Sequence, residues 1–562
     1  MNGPRELAIL PEKNMGSTVL SRNALRVCGM NLAAERQALI GGEWLTAGSA
    51  TSAAGEYEVE NPASGAVIAR LVKCGKEETN RAIAAASEAF KTWSRRPAKD
   101  RAAVLMRWHD ECVAARDDIT RIMTSECGKP LAEARNEFDS GVESLRFFAA
   151  EATRALGDYI PGDDSRDFVV IKQPVGVVGA ISPWYVSRQA RRLAWPTLDD
   201  PRRPSTTWNY PRSFLLIAYH AITLRYAEPH ERRNFPFSMP TRKVAPALAA
   251  GCTVVLKPSE LTPLTALAIA RLGERAGIPK GVLNVVSGDA EAIGEALTSS
   301  DAVRKISFTG STRVGKLLYA ASADTMKHIS LELGGNAPYI VFQDADVRRA
   351  ARDVVLSSHR NAGQTCICTN RVFVQESIHD EFVDALVAQI EKLRLGDGME
   401  PGITHGPVIT RQAVEQMELK VADAIEKGAS VLTGGKRATG LGDGFFFEPT
   451  VISNATKDMN VFKAEIFGPI TPVFKFSTEE EVVELANSTE YGLAAYFYTE
   501  NVKRTWRVAK ELEYGMVGVN QVAITSEVAP FGGWKHSGLG REHSKYGIEE
   551  YLEKKTICIG LK

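Results

Sequence analysis

The sequence predicts an α/β fold in which a parallel sheet is wrapped by crossover helices. Three observations carry this. From residue 168 onward, short apolar runs alternate with helical periodicity. A glycine turn joins one such run to a helix at Thr309-Gly310-Ser311. A second α/β pattern then runs from about residue 338 to 535.

Residues 76–155 read as helices, with Ile83, Phe90 and Trp93 on one stripe and Pro97 and Pro130 near breaks. Phe168–Gln173 and Val175–Ile181 read as strands, and further strands are expected at Thr253–Leu256, Val282–Val286, Ile306–Thr309 and Ile329–Leu331. Helices are expected between them at 262–275, 290–299 and 312–322. In such an arrangement ligands gather at the carboxyl ends of the strands.

The bulk composition narrows the function classes. A chain of 562 residues with 44% hydrophobic content can bury a large core and form more than one domain. Lysine plus arginine equals aspartate plus glutamate at 68 each, so no overall field draws nucleic acid or an anionic membrane, and neither is expected as a partner. The longest apolar candidate, Phe214–Ile222, is interrupted by Tyr219 and His220 and falls short of the roughly 18 residues a spanning helix needs. Eight scattered cysteines favour reduced thiols inside the cell. Arg5, Arg22, Arg26 and Arg36 are interleaved with Glu6, Glu12 and Glu35, which weakens a transit-peptide reading, although the segment from Met15 looks more mitochondrial. A cytoplasmic location is expected, with the mitochondrial matrix as the alternative.

One segment does not fit the pattern. Tyr185–Arg233 holds nine arginines but no lysine or glycine, and prolines at 196, 201, 204, 211 and 229 break every period. It reads as an insertion.

Three runs carry chemistry. Asn361-Ala362-Gly363-Gln364-Thr365-Cys366-Ile367-Cys368 places a thiol in a small-residue loop after a helix, where backbone N–H groups can face it. Glu332, at the end of a strand and ahead of Gly334-Gly335, is a candidate general base. Phe308–Gly315 reads as strand, turn and helix, and the helix N-terminus suits a pyrophosphate.

Together with Pro183-Trp184, Asn234-Phe235-Pro236, Lys257-Pro258-Ser259-Glu260, Glu465-Ile466-Phe467-Gly468-Pro469 and Pro530-Phe531-Gly532-Gly533, these runs resemble the aldehyde dehydrogenase superfamily from about Ile40 to the C-terminus, apart from the insertion. The resemblance implies a Rossmann-like cofactor domain (38–155 and 174–331), an α/β catalytic domain (332–535) and a small β oligomerisation element (156–173 and 536–562), after an N-terminal extension (1–37). It implies Cys366 as nucleophile, Glu332 as base and Asn234 as oxyanion donor. It also implies cofactor contacts at Trp184, Lys257, Ser259, Glu260, Gly310, Ser311, Glu465 and Phe467, and a homotetramer or homodimer. A carboxylate at Glu260 accepts bonds from a free ribose 2′-hydroxyl and repels a 2′-phosphate, so NAD is favoured, with NADP as the alternative.

Arg242 lies eight residues after Asn234 and Arg360 six before Cys366, so both can face one pocket and fork onto a carboxylate distal to the aldehyde. The chain is similar to succinate-semialdehyde dehydrogenases in Phe235–Glu260, Arg360–Arg371 and Pro530–Tyr551. In that subfamily arginines matching Arg242 and Arg360, and a serine where Thr525 falls, bind the substrate carboxylate, and the reaction serves 4-aminobutyrate degradation. Cys366 and Cys368 resemble the subfamily's redox-sensitive loop, in which a strained disulfide blocks the nucleophile. Glutarate semialdehyde is the alternative substrate. A different class of reading is a silent structural subunit spoiled by the insertion, which enters immediately before the oxyanion asparagine. A thiol hydrolase is disfavoured because no histidine motif pairs with Cys366. The foreign composition of 185–233 reads as translated noncoding sequence; the internal Trp208-Asn209-Tyr210-Pro211 mimics the asparagine motif but lacks the helix that follows Asn234.

Overall fold

A computed structural model describes residues 38–45, 55–182 and 235–561, with the backbone of 26–27 and 30–31. Trp184, Asn234 and the segment 185–233 lie outside the described residues.

The helical region 76–155 resolves into four helices, Lys76–Trp93, Ala98–Ala114, Arg116–Cys127 and Leu131–Glu151. Pro97 and Pro130 each sit at an N-cap, where a missing N–H and a fixed φ cost nothing. The break at Ala115 has no proline or glycine to announce it. Trp93 and Trp108 are buried, and their indole N–H groups donate to the carbonyls of Leu248 and Ile269 at 3.3 and 2.9 Å. Each ring thus adds its apolar area to the core without stranding a polar atom.

Five of the expected strands, Val177–Ile181, Thr253–Lys257, Leu283–Val285, Val303–Thr309 and His328–Glu332, form the parallel centre of an eight-stranded sheet. The hairpin Ala38–Ile40 and Glu43–Leu45 adds one antiparallel edge. Asp289 and Ser311 cap the crossover helices Ala290–Ser299 and Thr312–Ala321 by accepting from Ala292 and Val314 N–H groups. A second, seven-stranded sheet runs from Ser430–Thr433 to Met516–Val519, with Ala337–Val341 and Thr369–Gln375 adjacent near its middle. It is parallel except at the Ser430–Thr433 edge.

A third sheet is antiparallel, with Leu552–Gly560, Arg166–Pro174 and Asp158–Asp163 in that order. Hydrogen bonding divides the segment 536–562, which the sequence presents as one element. Gly538–Leu539 pairs antiparallel with Leu331–Glu332 and closes the far edge of the first sheet, while only Leu552–Gly560 joins the hairpin. That short pairing brings the C-terminal region against the candidate base.

Candidate active site

The thiol loop connects the helix Val347–Ser358 to the strand Thr369–Gln375 and is built from strained backbone. Asn361 and Ala362 both hold φ of 53°, in the left-handed region that side-chain-bearing residues seldom adopt. Neighbours hold the strain in place. Asn361 N–H donates to Glu133 Oε2 at 2.8 Å, Gln364 Nε2 to the Asn361 carbonyl at 3.0 Å, and Ile409 N–H to Gln364 Oε1 at 3.0 Å. A Cβ on Gly363 would stand 2.1 Å from the Gly468 carbonyl, so only glycine lets the thiol loop and the Glu465–Pro469 loop pack together.

The same logic places the base against the nucleophile. A Cβ on Gly335 would lie 2.3 Å from the Cys366 carbonyl oxygen, so the turn after Glu332 lies directly on the thiol loop. Gly335 N–H donates to Glu465 Oε1 at 3.1 Å, which ties in a third of the expected residues. Glu332 is buried, and its Oε2 has no hydrogen-bond partner among the described residues. Burial, with the nearby Glu542 carboxylate adding to it, pushes its pKa well above the usual carboxylate range; Lys243, Arg541 and Arg242 pull the other way. A raised pKa makes the ionised carboxylate a stronger base toward water.

Glu542 and Lys243, which the sequence reading missed, are the charged neighbours of Glu332. Lys243 Nζ bonds Glu542 Oε1 at 2.5 Å, with both side chains buried. They are 299 positions apart, so no spacing could reveal them. In sequence Lys243 follows Arg242 and Glu542 stands between Arg541 and His543, so each reads as an ordinary surface charge.

The two arginines converge as expected. Arg242, Arg360, Thr525 and Cys366 line one narrow cleft, together with the rings of Phe235 and Phe531. Each guanidinium lies over one of those rings, Arg242 4.8 Å from the centre of Phe531 and Arg360 4.8 Å from that of Phe235. Among the described residues neither is paired with a carboxylate within 4 Å, and Arg242 Nε is buried without a partner. Burial lowers the Arg242 pKa, opposed chiefly by Glu542 and Cys366. Cys368 is buried beside the cleft rather than lining it, and burial pushes its thiol up to about 12.

Of the expected cofactor contacts, Lys257, Ser259, Glu260, Gly310 and Ser311 lie at the carboxyl ends of first-sheet strands, and Glu465 and Phe467 lie in the loop ahead of the second-sheet strand Ile470–Phe476. Lys257 Nζ, fully buried, donates to Glu260 Oε2 at 2.9 Å, an amine and a carboxylate side by side that match the donors and acceptors of a ribose diol. Ser259 Oγ accepts from Leu261 N–H, and Ser311 caps the helix Thr312–Ala321, whose N-terminus is an anion site. A Cβ on Gly310 would meet the Phe308 ring at 2.4 Å, so the backbone there keeps an approach that a side chain would fill. Phe467 holds φ of 49° between Glu465 and Gly468. These groups fit a dinucleotide.

A family model described as the aldehyde dehydrogenase family matches residues 49–188 and 234–557. This chain belongs to the aldehyde dehydrogenase family. It is an oxidoreductase that acts on aldehydes, with a nicotinamide dinucleotide as acceptor. The aldehyde dehydrogenase match resumes at Asn234 and passes over 189–233, nearly the whole of the segment that looked foreign. Similar proteins include a mitochondrial succinate-semialdehyde dehydrogenase of Arabidopsis thaliana, 49% identical over 93% of this chain and 89% of that one. A 3-sulfolactaldehyde dehydrogenase of Pseudomonas putida is 48% identical over 94% of this chain and 97% of that one. The crystal structure of succinate-semialdehyde dehydrogenase from Burkholderia pseudomallei superposes with a TM-score of 0.83 at 47% identity, covering 97% of this aldehyde dehydrogenase and all of that chain. No helix among the described residues is long and apolar enough to cross a membrane.

Proposed function

We propose that the chain oxidises succinate semialdehyde to succinate, preferring NAD and accepting NADP as the alternative. The observation that carries this reading is the pair of guanidinium groups, unpaired with any described carboxylate, in the cleft that also holds Cys366. Both arginines line the cleft, and a guanidinium with five N–H donors can take a carboxylate in bidentate geometry. Succinate semialdehyde and sulfolactaldehyde, named for the relatives, both carry an anionic group distal to the aldehyde.

The Cys366 thiolate adds to the aldehyde carbon, and the resulting oxyanion accepts hydrogen bonds from the Cys366 N–H and the Asn234 amide, each such donor worth about 3 kcal/mol. A bound nicotinamide dinucleotide would supply a hydride acceptor, and the residues that would hold it are Lys257, Ser259, Glu260, Gly310, Ser311, Glu465 and Phe467, together with Trp184 from the family resemblance. Loss of the hydride leaves a thioester on Cys366. Glu332 then takes a proton from water as the oxygen attacks the thioester carbon, the C–S bond breaks, and the acid departs. The proton reaches a buried carboxylate flanked by Glu542 and Lys243.

Glutarate semialdehyde is the second reading, because two arginines and Thr525 fix the acid end without measuring the chain between. Exposed Tyr159, Ile160, Ile557 and Ile559 on the third sheet support self-association as a homodimer or homotetramer. The composition favours the cytoplasm, with the mitochondrial matrix as alternative. The segment 185–233 is proposed to be translated noncoding sequence, and sequencing the transcript across the Trp184 codon checks it; a mature message carrying the segment in a fully active protein excludes that origin. Turnover of succinate semialdehyde with NAD and with NADP tests the main reading. Arg242→Ala and Arg360→Ala are each expected to raise KM about 10-fold or more, the loss of one charge-assisted contact. Unchanged KM in both variants removes the basis for the acid-end assignment.

A further inference from the structure

Both arginines must stand at a fixed distance from Cys366, yet they come from different parts of the chain. Arg242 rides on the helix Ser238–Ala250 of the first sheet's layer, and Arg360 on the loop of the second. One short stretch touches both. Glu133 and Glu137 stand four residues apart on the helix Leu131–Glu151, and so share a face; Lys129 lies just before it. Glu137 Oε1 accepts from Phe237 and Ser238 N–H at 2.8 and 3.1 Å, at the start of the Arg242 helix. Glu133 Oε2 accepts from Asn361 N–H at 2.8 Å, one residue after Arg360. Lys129 Nζ bonds Glu137 Oε2 at 2.6 Å and lies 4.3 Å from the centre of the Phe235 ring, on which the Arg360 guanidinium also rests.

We propose that Lys129, Glu133 and Glu137 are positioning residues that set where Arg360 meets the acid end of the substrate, an inference that rests on the functional reading above. The Lys129–Glu137 pair is fully buried on both sides. A buried ion pair is weak evidence of stabilisation, since an apolar pair of similar volume often serves as well or better. What it supplies here is direction. Lys129 is rooted by close backbone packing: Cβ atoms on Gly398 and Gly406 would stand 2.5 Å from the Lys129 carbonyl and 2.2 Å from the Gly128 carbonyl. Its ammonium therefore has one reach, toward Glu137 and Phe235. An arginine with many rotamers loses less entropy on binding when a ring already holds its guanidinium. Glu133 fixes the other end of Arg360 through the backbone of the next residue. Burial raises the Glu133 pKa and Glu137 adds to it, while the Lys129 ammonium, the Asn361 N–H and the Arg360 guanidinium pull it down, so Glu133 sits among the same charges that it positions.

Calorimetric titration of the full chain with succinate and with butyramide, which carries no carboxylate, reads the arrangement without turnover. The wild-type chain is expected to bind succinate at least about 10-fold more tightly, the worth of one arginine–carboxylate contact. The double variant Lys129→Met/Glu137→Gln removes both charges of the buried pair and keeps an acceptor for Phe237 and Ser238. It is expected to lose most of that ratio while butyramide affinity and the unfolding temperature hold. Glu133→Ala is expected to lower the ratio, and Glu133→Gln, which still accepts from Asn361, to restore it. A ratio intact in both the double variant and Glu133→Ala overturns the proposal alone. So does a fall in succinate and butyramide affinity together, which marks a purely structural role. A wild-type chain that does not distinguish the two ligands overturns the functional reading and this proposal with it.

Discussion

Two clusters of buried charge lie under this active site, and they are finished differently. In the Lys129–Glu137 cluster both oxygens of Glu137 are occupied, by a lysine and two backbone N–H groups. In the Glu332–Glu542–Lys243 cluster two carboxylates compete for one lysine, and Glu332 Oε2 and Glu542 Oε2 are both left without a partner among the described residues. A satisfied buried charge holds geometry, whereas the unsatisfied Glu332 carboxylate has its pKa raised by burial and by Glu542 and is placed to exchange a proton. The contrast separates positioning from reactivity more sharply than burial does, since both clusters are equally inaccessible.

The largest expected effect tests the reactive cluster. Glu332→Gln should slow steady-state turnover about 10²- to 10⁴-fold, the usual worth of a general base, while a single burst of reduced cofactor survives because hydride transfer precedes hydrolysis. Loss of the burst as well would show that Glu332 acts earlier. In the satisfied cluster the corresponding single substitution should act on folding. Lys129→Met strands a fully buried Glu137, and a loss of about 3–5 kcal/mol is expected from denaturant unfolding, against little change in the double variant.

A smaller effect is a shift in pH dependence. Glu332 must be deprotonated to act, so hydrolysis should rise with pH through its raised pKa. The Glu542 charge raises that pKa, so Glu542→Gln should move the inflection to lower pH; the Lys243 charge lowers it, so Lys243→Met should move it higher. Movement in the opposite directions would break the electrostatic account. The smallest effect belongs to Cys368, where Cys368→Ala should leave turnover within about twofold. Burial pushes its thiol up to about 12, which keeps the thiolate scarce at neutral pH, so any disulfide with Cys366 should form slowly. Peroxide inhibition that survives Cys368→Ala and is still reversed by dithiothreitol removes the switch.

Much of this was legible in the sequence, for physical reasons that can be named. Strands buried on both faces and helices with one apolar stripe leave different periods, so the crossover pattern from 177 to 332 was readable almost element by element. Cys366 and Glu332 stand beside glycines that allow close backbone approach, and Arg242 and Arg360 were read from their spacing to Asn234 and Cys366 and from the family resemblance. The Ala115 break was not, because neither proline nor glycine marks it. Lys129, Glu133 and Glu137 look in sequence like the solvated charges of any helix, and only tertiary packing seals them. The Gly538–Leu539 strand is too short to have a period, and so its place on the first sheet was hidden.

The central claim is that this aldehyde dehydrogenase holds a substrate that is acidic at the end distal to its aldehyde. The most direct measurement is the ratio of kcat/KM for succinate semialdehyde to that for butanal, on the full chain with NAD. The account predicts a ratio of about 10²-fold or more, the combined worth of two arginine contacts at about 1.5 kcal/mol each. A ratio near one would contradict it.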